Sequence, residues 1–493
     1  MSETIPISEV VWKPAIYPRA KWSGAVVDRY VEALEAGAEF PPITLEKGTN
    51  ILLDGKHRLE AFKKAERDTI PAVEVEIPES KLTEQAEEIL KQAADIEDPE
   101  QQKSQREKAK QMLLIAARSF AATLSVTHGE RLSNPDLQVL AQAEAAVDPK
   151  AFDLKAWSQK MAITRRTLNN WVGGILSKER EERKAKVLRL EKLGWQQSEM
   201  ADLLGVSQPT ISVDIKKGNS SKTNILALKK DGFDNDELVK RFALSPTTIQ
   251  AIILEGKTDI ERMESLGISI RPWDVWNFAE CHPLMGTEHP GRIPGELVCN
   301  ALYFYTEQGD LVVDPMAGGG TVLDACLLMG RKCRGYDLDL RYDRVDIQKH
   351  HMDHGWPQTT SEADLIFWDP PYYKKKDSEY IEGSVSNLDR AEYLEWFANR
   401  FQELGDIAKE GAVLAFLMSN WRQFYDLTEP EVEGIFQHNY GTALESYGWK
   451  VMVEIQCPLG SQQLAAHQIV DFKEKKKVYG LSRFMLICKK EDE

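Results

Sequence analysis

What most restricts the fold of this chain is an alternation between residues 311 and 372. Leu311-Val312-Val313-Asp314-Pro315 is a short apolar run that stops at an acid and a proline. It leads through Met316-Ala317 into Gly318-Gly319-Gly320-Thr321. A helix is expected over Thr321 to Met329, then a second strand ending Cys333-Arg334-Gly335-Tyr336-Asp337. Further on, Leu365-Ile366-Phe367-Trp368 is apolar without interruption and stops at Asp369-Pro370-Pro371-Tyr372. A strand apolar at every position has no wet side and reads as a buried strand of a parallel sheet. Helices alternating with such strands predict an open α/β sheet, which binds ligands beyond the carboxyl ends of its strands. Asp314, Asp337 and Asp369 all stand at such ends.

The residue types there restrict the chemistry. Glycines let the backbone pass close to a ligand with no Cβ in the way. The N–H groups opening the next helix suit a carboxylate. Asp337, 23 residues after Asp314, suits the hydroxyls of a ribose. Gly-Gly-Gly lacks the G-x-G-x-x-G spacing of dinucleotide sites. S-adenosylmethionine fits better, being an adenosine with an amino-acid carboxylate and no phosphate. The turn at Asp369 then suits methyl transfer to the exocyclic amine of a base. That amine is a poor nucleophile because its lone pair is delocalised into the ring. The Asp369 carboxylate and the Pro370 carbonyl can accept hydrogen bonds from its two N–H groups and localise the lone pair, while Tyr372 offers a ring face for stacking. Any one of these pieces alone could be a strand end followed by a turn. Their order argues against that reading.

On these motifs, residues from about 270 to 490 resemble the amino-group DNA methyltransferases, adenine-N6 or cytosine-N4. Asp314 to Thr321 resembles their first cofactor motif, with Met316 where Phe is common. His289-Pro290-Gly291-Arg292-Ile293-Pro294 resembles the segment that contacts the methionine part of the cofactor. The resemblance implies a Rossmann-like fold and S-adenosylmethionine as cofactor, with no metal required. It places Pro294, Asp314, Met316, Ala317, Gly318, Gly319, Gly320, Thr321 and Asp337 around the cofactor. Asp369, Pro370, Pro371 and Tyr372 form the catalytic set, acting on a flipped base. Many relatives place the DPPY motif first, so their target-recognition rules do not transfer directly. Asp at the first position leans towards adenine, since Ser is commoner there in cytosine-N4 enzymes. Cytosine-C5 chemistry needs a Pro-Cys nucleophile, and the adjacent pair here is reversed, Cys457-Pro458.

A net charge of −16 looks wrong for a protein that grips DNA, but the charge is uneven. Lys155 to Asp259 holds 19 Lys+Arg against 13 Asp+Glu, a net +6, which leaves −22 for the rest. A basic middle between acidic ends suits a chain that grips phosphates with one part only. Three segments of that middle repeat a helix-turn-helix spacing: a small residue, a turn residue at +4, an apolar residue at +10. They are Ser158, Ala162 and Leu168; Ala201, Gly205 and Ile211; Val239, Ala243 and Ile249. Small residues at the first two positions let two helices cross closely, with the later apolar residue packed beneath. The second helices would display Arg165, Arg166, Asn169 and Asn170; then Ser207, Gln208, Thr210 and Ser212; then Ser245, Thr247, Thr248 and Gln250. Such side chains reach phosphates and base edges of double-stranded DNA. Lys374, just after Tyr372, is expected to touch DNA as well. The alternative is a helical bundle that connects two domains, and the third copy could be a packing module without DNA contacts.

The 493 residues exceed what one core serves. The expected fold class is α/β: an N-terminal α+β domain (1–80), a helical connector (81–150), an all-α helix-turn-helix array (151–260) and the Rossmann-like methyltransferase (270–490). The N-terminal stretch resembles the N-terminal domain of ParB-like partition proteins, which shares its fold with sulfiredoxins. Gly55-Lys56-His57-Arg58 stands where those proteins carry their G-x-R-R nucleotide motif. A sulfiredoxin would need Cys at the Lys56 position. The second ParB nucleotide motif, E-N-x-x-R, is missing from the region Leu124 to Glu130, so a scaffold or DNA-docking domain without nucleotide stays open. The connector is charged and broken at Pro99, with solvated faces expected. No apolar run approaches membrane length and no signal-peptide pattern opens the chain, so a cytoplasmic location is expected. Six cysteines without a C-x-x-C pair argue for reduced thiols. His350, His351, Asp353 and His354 read as a polar loop before a metal site. A homodimer is left open. The rival from another class is a partition or transcriptional DNA-binding protein with a non-catalytic methylase domain.

Overall fold

The computed structural model describes residues 3–491 apart from 18–22, 79–80, 95–98, 128–131, 133, 150–151, 279, 290, 341, 343, 373–383, 420–436, 459–469, 471–472 and 475–482. Two compact units divide the chain, Met1–Glu181 and Glu182–Glu493.

The first unit opens with a four-stranded sheet in the order β1-β4-β2-β3. Its strands are β1 (Glu3–Pro6), β2 (Ile43–Glu46), β3 (Leu52–Asp54) and β4 (Thr69–Val75). β2 and β4 are parallel and the other pairs antiparallel. Helices α1 (Gly24–Glu35) and α2 (Lys56–Lys64) pack against each other, and Ile43, Leu45, Leu52 and Leu59 are fully buried. Gly55, at φ 100°, makes the turn from β3 into α2. Next come α3 (Lys81–Ala94) and α4 (Pro99–Thr127). Pro99 opens α4, where a missing N–H costs nothing. This stretch, expected to have solvated faces, has a buried one. Ala117 and Ala121 of α4 pack on Ile51 and Leu53, and Ala109 and Met112 on Ala86 of α3. Helices α5 (Asn134–Val147) and α6 (Leu154–Lys160) share a core with the start of α7 (Arg165–Lys192) through Leu137, Leu140, Trp157, Leu168 and Val172.

In the second unit two further helix pairs lead into a seven-stranded sheet. The pairs are α8 (Gln197–Leu204) with α9 (Gln208–Lys230), and α10 (Asn235–Phe242) with α11 (Pro246–Ile253). All three expected turn residues adopt the left-handed conformation: Ala162 at φ 54°, Gly205 at 63° and Ala243 at 51°. Helix α12 (Asp259–Ser265) and α13 (Gly295–Tyr305) come next. The rest alternates: β5 (Leu311–Asp314), α14 (Thr321–Met329), β6 (Lys332–Asp337), β7 (Ile347–Lys349), β8 (Leu365–Trp368), α15 (Arg390–Ile407), β9 (Val413–Ser419), α16 (Gln437–Ser446), β10 (Trp449–Gln456) and β11 (Arg483–Lys490). The strand order is β10-β11-β9-β8-β5-β6-β7. β5 to β9 are mutually parallel, and β11 runs antiparallel to both its neighbours.

Helix α14 explains where the third helix pair went. It is apolar almost all round and every residue of it is buried, the mark of a helix covered on all sides. One side meets the sheet, and α11, α12 and α13 cover the rest. The expectation that α11 displays polar side chains outward is therefore corrected. Thr247 and Thr248 are buried, and the Thr247 hydroxyl donates to the Leu284 carbonyl at 2.7 Å. Ser245 caps the helix by accepting from the Thr248 N–H at 3.1 Å, and Gln250 accepts from Asn235 at 2.9 Å. Buried arginines fasten the layer. Arg331 donates to both oxygens of Asp259 at 2.6 and 2.7 Å and to the carbonyls of Leu302, Thr306 and Met329. Arg262 donates to the Leu328 carbonyl at 2.6 Å.

Candidate active site

The sheet reverses direction of growth at β5: β6 and β7 lie to one side, β8 and β9 to the other. Such a reversal leaves a crevice at the carboxyl ends of the strands, where α/β sheets hold ligands. Asp314, Asp337 and Asp369 end β5, β6 and β8 or directly follow them. Asp314 is buried and accepts the Met316 N–H at 3.1 Å. Burial, with the charges of Asp337 and Asp369 nearby, pushes its carboxyl well above the usual carboxylate range. Asp337 is half-buried and accepts the N–H groups of Gly318 at 2.7 Å and Asp339 at 2.9 Å. One carboxylate thus shapes the glycine turn from the neighbouring strand.

The three glycines serve different ends. A Cβ on Gly318 would meet nothing nearer than His289 at 3.9 Å. On Gly319 it would stand 2.8 Å from the His289 ring and 2.9 Å from the Thr287 carbonyl. On Gly320 it would collide with the Arg344 guanidinium. Only the first glycine faces open space. The other two admit the chain's own side chains, and Gly318 and Gly320 also need their positive φ of 50° and 79°. His289 stacks on Tyr342 with centroids 5.3 Å apart. Thr287 donates its N–H to the Gly319 carbonyl at 2.9 Å, and His289, the first residue of the segment expected to touch the methionine part, lies against the same turn. Pro294, buried, opens α13, while Ala317 and Thr321 are buried and Met316 is half-buried. An opening at Gly318 beside the strand-end carboxylates Asp314 and Asp337 fits an adenosine bearing an amino acid.

At the end of β8 the backbone is held by aromatic packing. Trp368 is fully buried, with ring centroids 4.9 Å from Trp356, 5.0 Å from Phe416 and 5.4 Å from Phe397. Tyr393 donates its hydroxyl to the Pro371 carbonyl at 3.1 Å. Pro370 is buried, Asp369 and Tyr372 are half-buried, and the Tyr372 hydroxyl donates to Asp369 at 2.8 Å. That bond is invisible in the sequence, which pointed only to the ring face. It engages the same carboxylate that a target amine would use.

The expected DNA-facing residues divide by helix pair. Arg165, Arg166 and Asn169 are exposed on α7. Ser207 and Gln208 are exposed at the start of α9, and Thr210 is half-buried with its hydroxyl 2.9 Å from that of Ser207. The same helix exposes Lys216 and Lys217, which fall outside the helix-turn-helix spacing. Lys374 lies outside the described residues. In the first unit, the basic groups at the start of α2 are engaged within the chain. Lys56 is buried, donates to Glu60 at 2.6 Å and lies 4.1 Å from the Trp12 ring. Arg58 donates to Asp54 at 2.8 Å and to the Pro41 and Pro42 carbonyls. His57 accepts the Ser23 N–H at 3.1 Å. A phosphate at Gly55 would have to compete with these partners.

Comparison with known proteins places a family on part of this unit. A DNA methylase family model matches residues 215–348, a span from within α9 to β7 that takes in the glycine turn and stops short of Asp369. Over 87 residues the chain is 30% identical to the DNA adenine methyltransferase YhdJ of Escherichia coli (strain K12). That match covers 16% of this chain and 30% of the relative's length. Among solved structures, a methyltransferase from Pyrococcus furiosus aligns over 48% of this chain and 95% of its own, at 13% identity and TM-score 0.27. The C-terminally truncated partitioning protein ParB from Caulobacter crescentus, complexed with CTP-gamma-S, aligns over 44% and 92%, at 12% identity and TM-score 0.18. At such scores the strand order, not the likeness, decides the fold. The methylase domain lies in the C-terminal half, and its cofactor is S-adenosylmethionine.

Proposed function

We propose that this protein is a site-specific DNA methyltransferase that moves a methyl group from S-adenosylmethionine to the N6 amine of a flipped adenine. The observation that carries the reading is the convergence of Asp314, Asp337 and Asp369 on one crevice at the sheet's reversal point, close enough for the last two to perturb the first. Asp337 and the Gly318 turn bind the cofactor. Asp369 and the Pro370 carbonyl accept the amine's two N–H bonds, and the Tyr372 ring stacks on the base. Extrusion of that base costs roughly a few kcal/mol, offset by stacking and these hydrogen bonds. The ParB-like stretch and the helix-turn-helix pairs bring the catalytic domain to duplex DNA. Asp rather than Ser at position 369 favours adenine over cytosine N4.

Asp369→Ala should fold and bind both S-adenosylmethionine and DNA, with methyl transfer lower by about a hundredfold or more, because the carboxylate acts most strongly as nitrogen gains positive charge. Radiolabelled cofactor and DNA of mixed sequence, hydrolysed after reaction, should yield label in N6-methyladenine. Label in N4-methylcytosine would replace the base and keep the mechanism. Equal transfer by wild type and Asp369→Ala would defeat the catalytic reading and favour a DNA-binding regulator whose methylase domain does no chemistry.

A further inference from the structure

Behind the cofactor turn lies a quartet of charges that no motif announced. Arg189, in the last turn of α7, donates to Asp324 at 2.5 Å and to Asp346 at 2.6 and 2.9 Å. Arg344 donates to both oxygens of Asp324, at 2.9 and 3.1 Å, and to those of Asp346, at 2.9 and 3.2 Å. All four side chains are largely buried, the two carboxylates almost completely. Burial pushes both aspartates up, and the two arginines outweigh it, holding both below the usual carboxylate range.

A buried, neutral quartet of this kind is poor evidence for stability, because desolvation consumes most of the attraction. What it does supply is position. The Arg344 guanidinium also donates to the Gly319 carbonyl at 2.9 Å and fills the space behind Gly320. Asp324 accepts the Gly286 N–H at 2.7 Å, next to Thr287, whose own N–H meets the Gly319 carbonyl. The glycine turn, the segment leading to His289 and the β6–β7 connection are thus tied to one knot. Arg189 closes that knot from a helix that precedes the matched methylase span at 215–348.

We propose that Arg189 is a positioning residue for cofactor binding, holding Asp324 and Arg344 so that the Gly318–Gly320 turn keeps the shape that takes S-adenosylmethionine. The proposal rests on the function argued above. Without Arg189, one guanidinium must serve two buried carboxylates, and the Gly319 carbonyl loses a fixed donor. Displacement of a binding turn by about 1 Å can weaken function as much as a hundredfold.

The test uses the full-length protein with Arg189→Met and Arg189→Lys. The lysine keeps the charge but cannot bridge two carboxylates with a planar fork, and it guards against a methionine variant that fails to fold. Calorimetry with S-adenosylmethionine should show affinity lower by about tenfold or more in Arg189→Lys, while far-UV circular dichroism stays that of wild type. In steady-state kinetics the loss should fall several-fold more on KM for the cofactor than on kcat, a split that general loosening of the fold would not give. A folded Arg189→Lys with wild-type cofactor affinity overturns the positioning role alone. A wild-type protein that binds no S-adenosylmethionine overturns the function itself, and this proposal with it.

Discussion

The second and third helix pairs carry the same spacing and meet opposite fates. Ala201, Gly205 and Ile211 in one, Val239, Ala243 and Ile249 in the other, build the same local structure. Each has an eight-residue first helix, a left-handed turn, a serine at the next N-cap and a proline in the first turn. Ile211 and Ile249 are both fully buried beneath the crossing. Beyond that, α9 presents Ser207, Gln208, Ser212, Val213, Lys216 and Lys217 to solvent. Helix α11 buries Thr247, Thr248, Ala251 and Ile252 and packs on α14. The spacing encodes how two helices cross. The hydropathy of the face left over decides whether the second helix meets water or the sheet, and the Ile249-Gln250-Ala251-Ile252-Ile253 run of α11 has little to offer water.

The sharpest way to break this comparison is to put a charge on each outer face. Ala251→Glu would place a carboxylate in the core shared by α11 and the seven-stranded sheet. It should cost about 3 kcal/mol or more, through overpacking and an unpaired buried charge. Val213→Glu, at a position 51% exposed, should stay within about 0.5 kcal/mol of wild type. Denaturant unfolding followed by tryptophan fluorescence reads both. Similar shifts in the two variants would mean that α9 is as embedded as α11.

A smaller effect sharpens the same contrast in DNA binding. Lys216 and Lys217 on α9 are exposed, and so are Lys240 and Arg241 on the third pair. If the second pair grips phosphates and the third does not, Lys216→Ala with Lys217→Ala should flatten the plot of log affinity against log salt by about 0.9 for each phosphate that the lysines had neutralised. Arg165→Ala with Arg166→Ala should do the same from the first pair. Lys240→Ala with Arg241→Ala, equal in charge, should leave the slope alone. A slope that follows total charge irrespective of position would remove the distinction between the pairs.

How much of this was legible follows from the range of each signal. Helix Thr321–Met329 and strand Leu365–Trp368 have the limits read from the sequence, because a strand apolar at every position and a helix apolar but for Thr321 and Asp324 announce themselves, and the bounding glycines or prolines stop them. The strand-end aspartates were legible for the same reason. The fate of α11 was not, since its partner α14 lies some seventy residues on and local spacing is silent about partners. Arg189 and Asp324 are 135 residues apart, and neither sits in a recognisable motif. Gly319 and Gly320 were read as room for a ligand, whereas His289 and Arg344 occupy that room. Tyr372 was read as a ring face, and its hydroxyl reaches Asp369 because the Pro-Pro turn folds it back.

The smallest expected effect tests whether the turn itself distinguishes the pairs. Gly205 takes its positive φ without strain, and a Cβ there would meet nothing within 4 Å. Gly205→Ala therefore adds only the backbone penalty of a left-handed L-residue, about 1 kcal/mol. Ala243 and Ala162 already bear that penalty at φ 51° and 54°, and both are exposed, so their methyl groups return little packing. Ala243→Gly should relieve the strain but widen the unfolded ensemble, which takes back roughly 0.5–1 kcal/mol. The net gain should be a few tenths of a kcal/mol, with DNA affinity and its salt slope unaltered. Thermal unfolding of the three variants side by side reads the signs: down for Gly205→Ala, slightly up or level for Ala162→Gly and Ala243→Gly. A clear loss in Ala243→Gly would show that the alanine methyl packs in solution, and that the third pair is fastened through its turn as well as through α11.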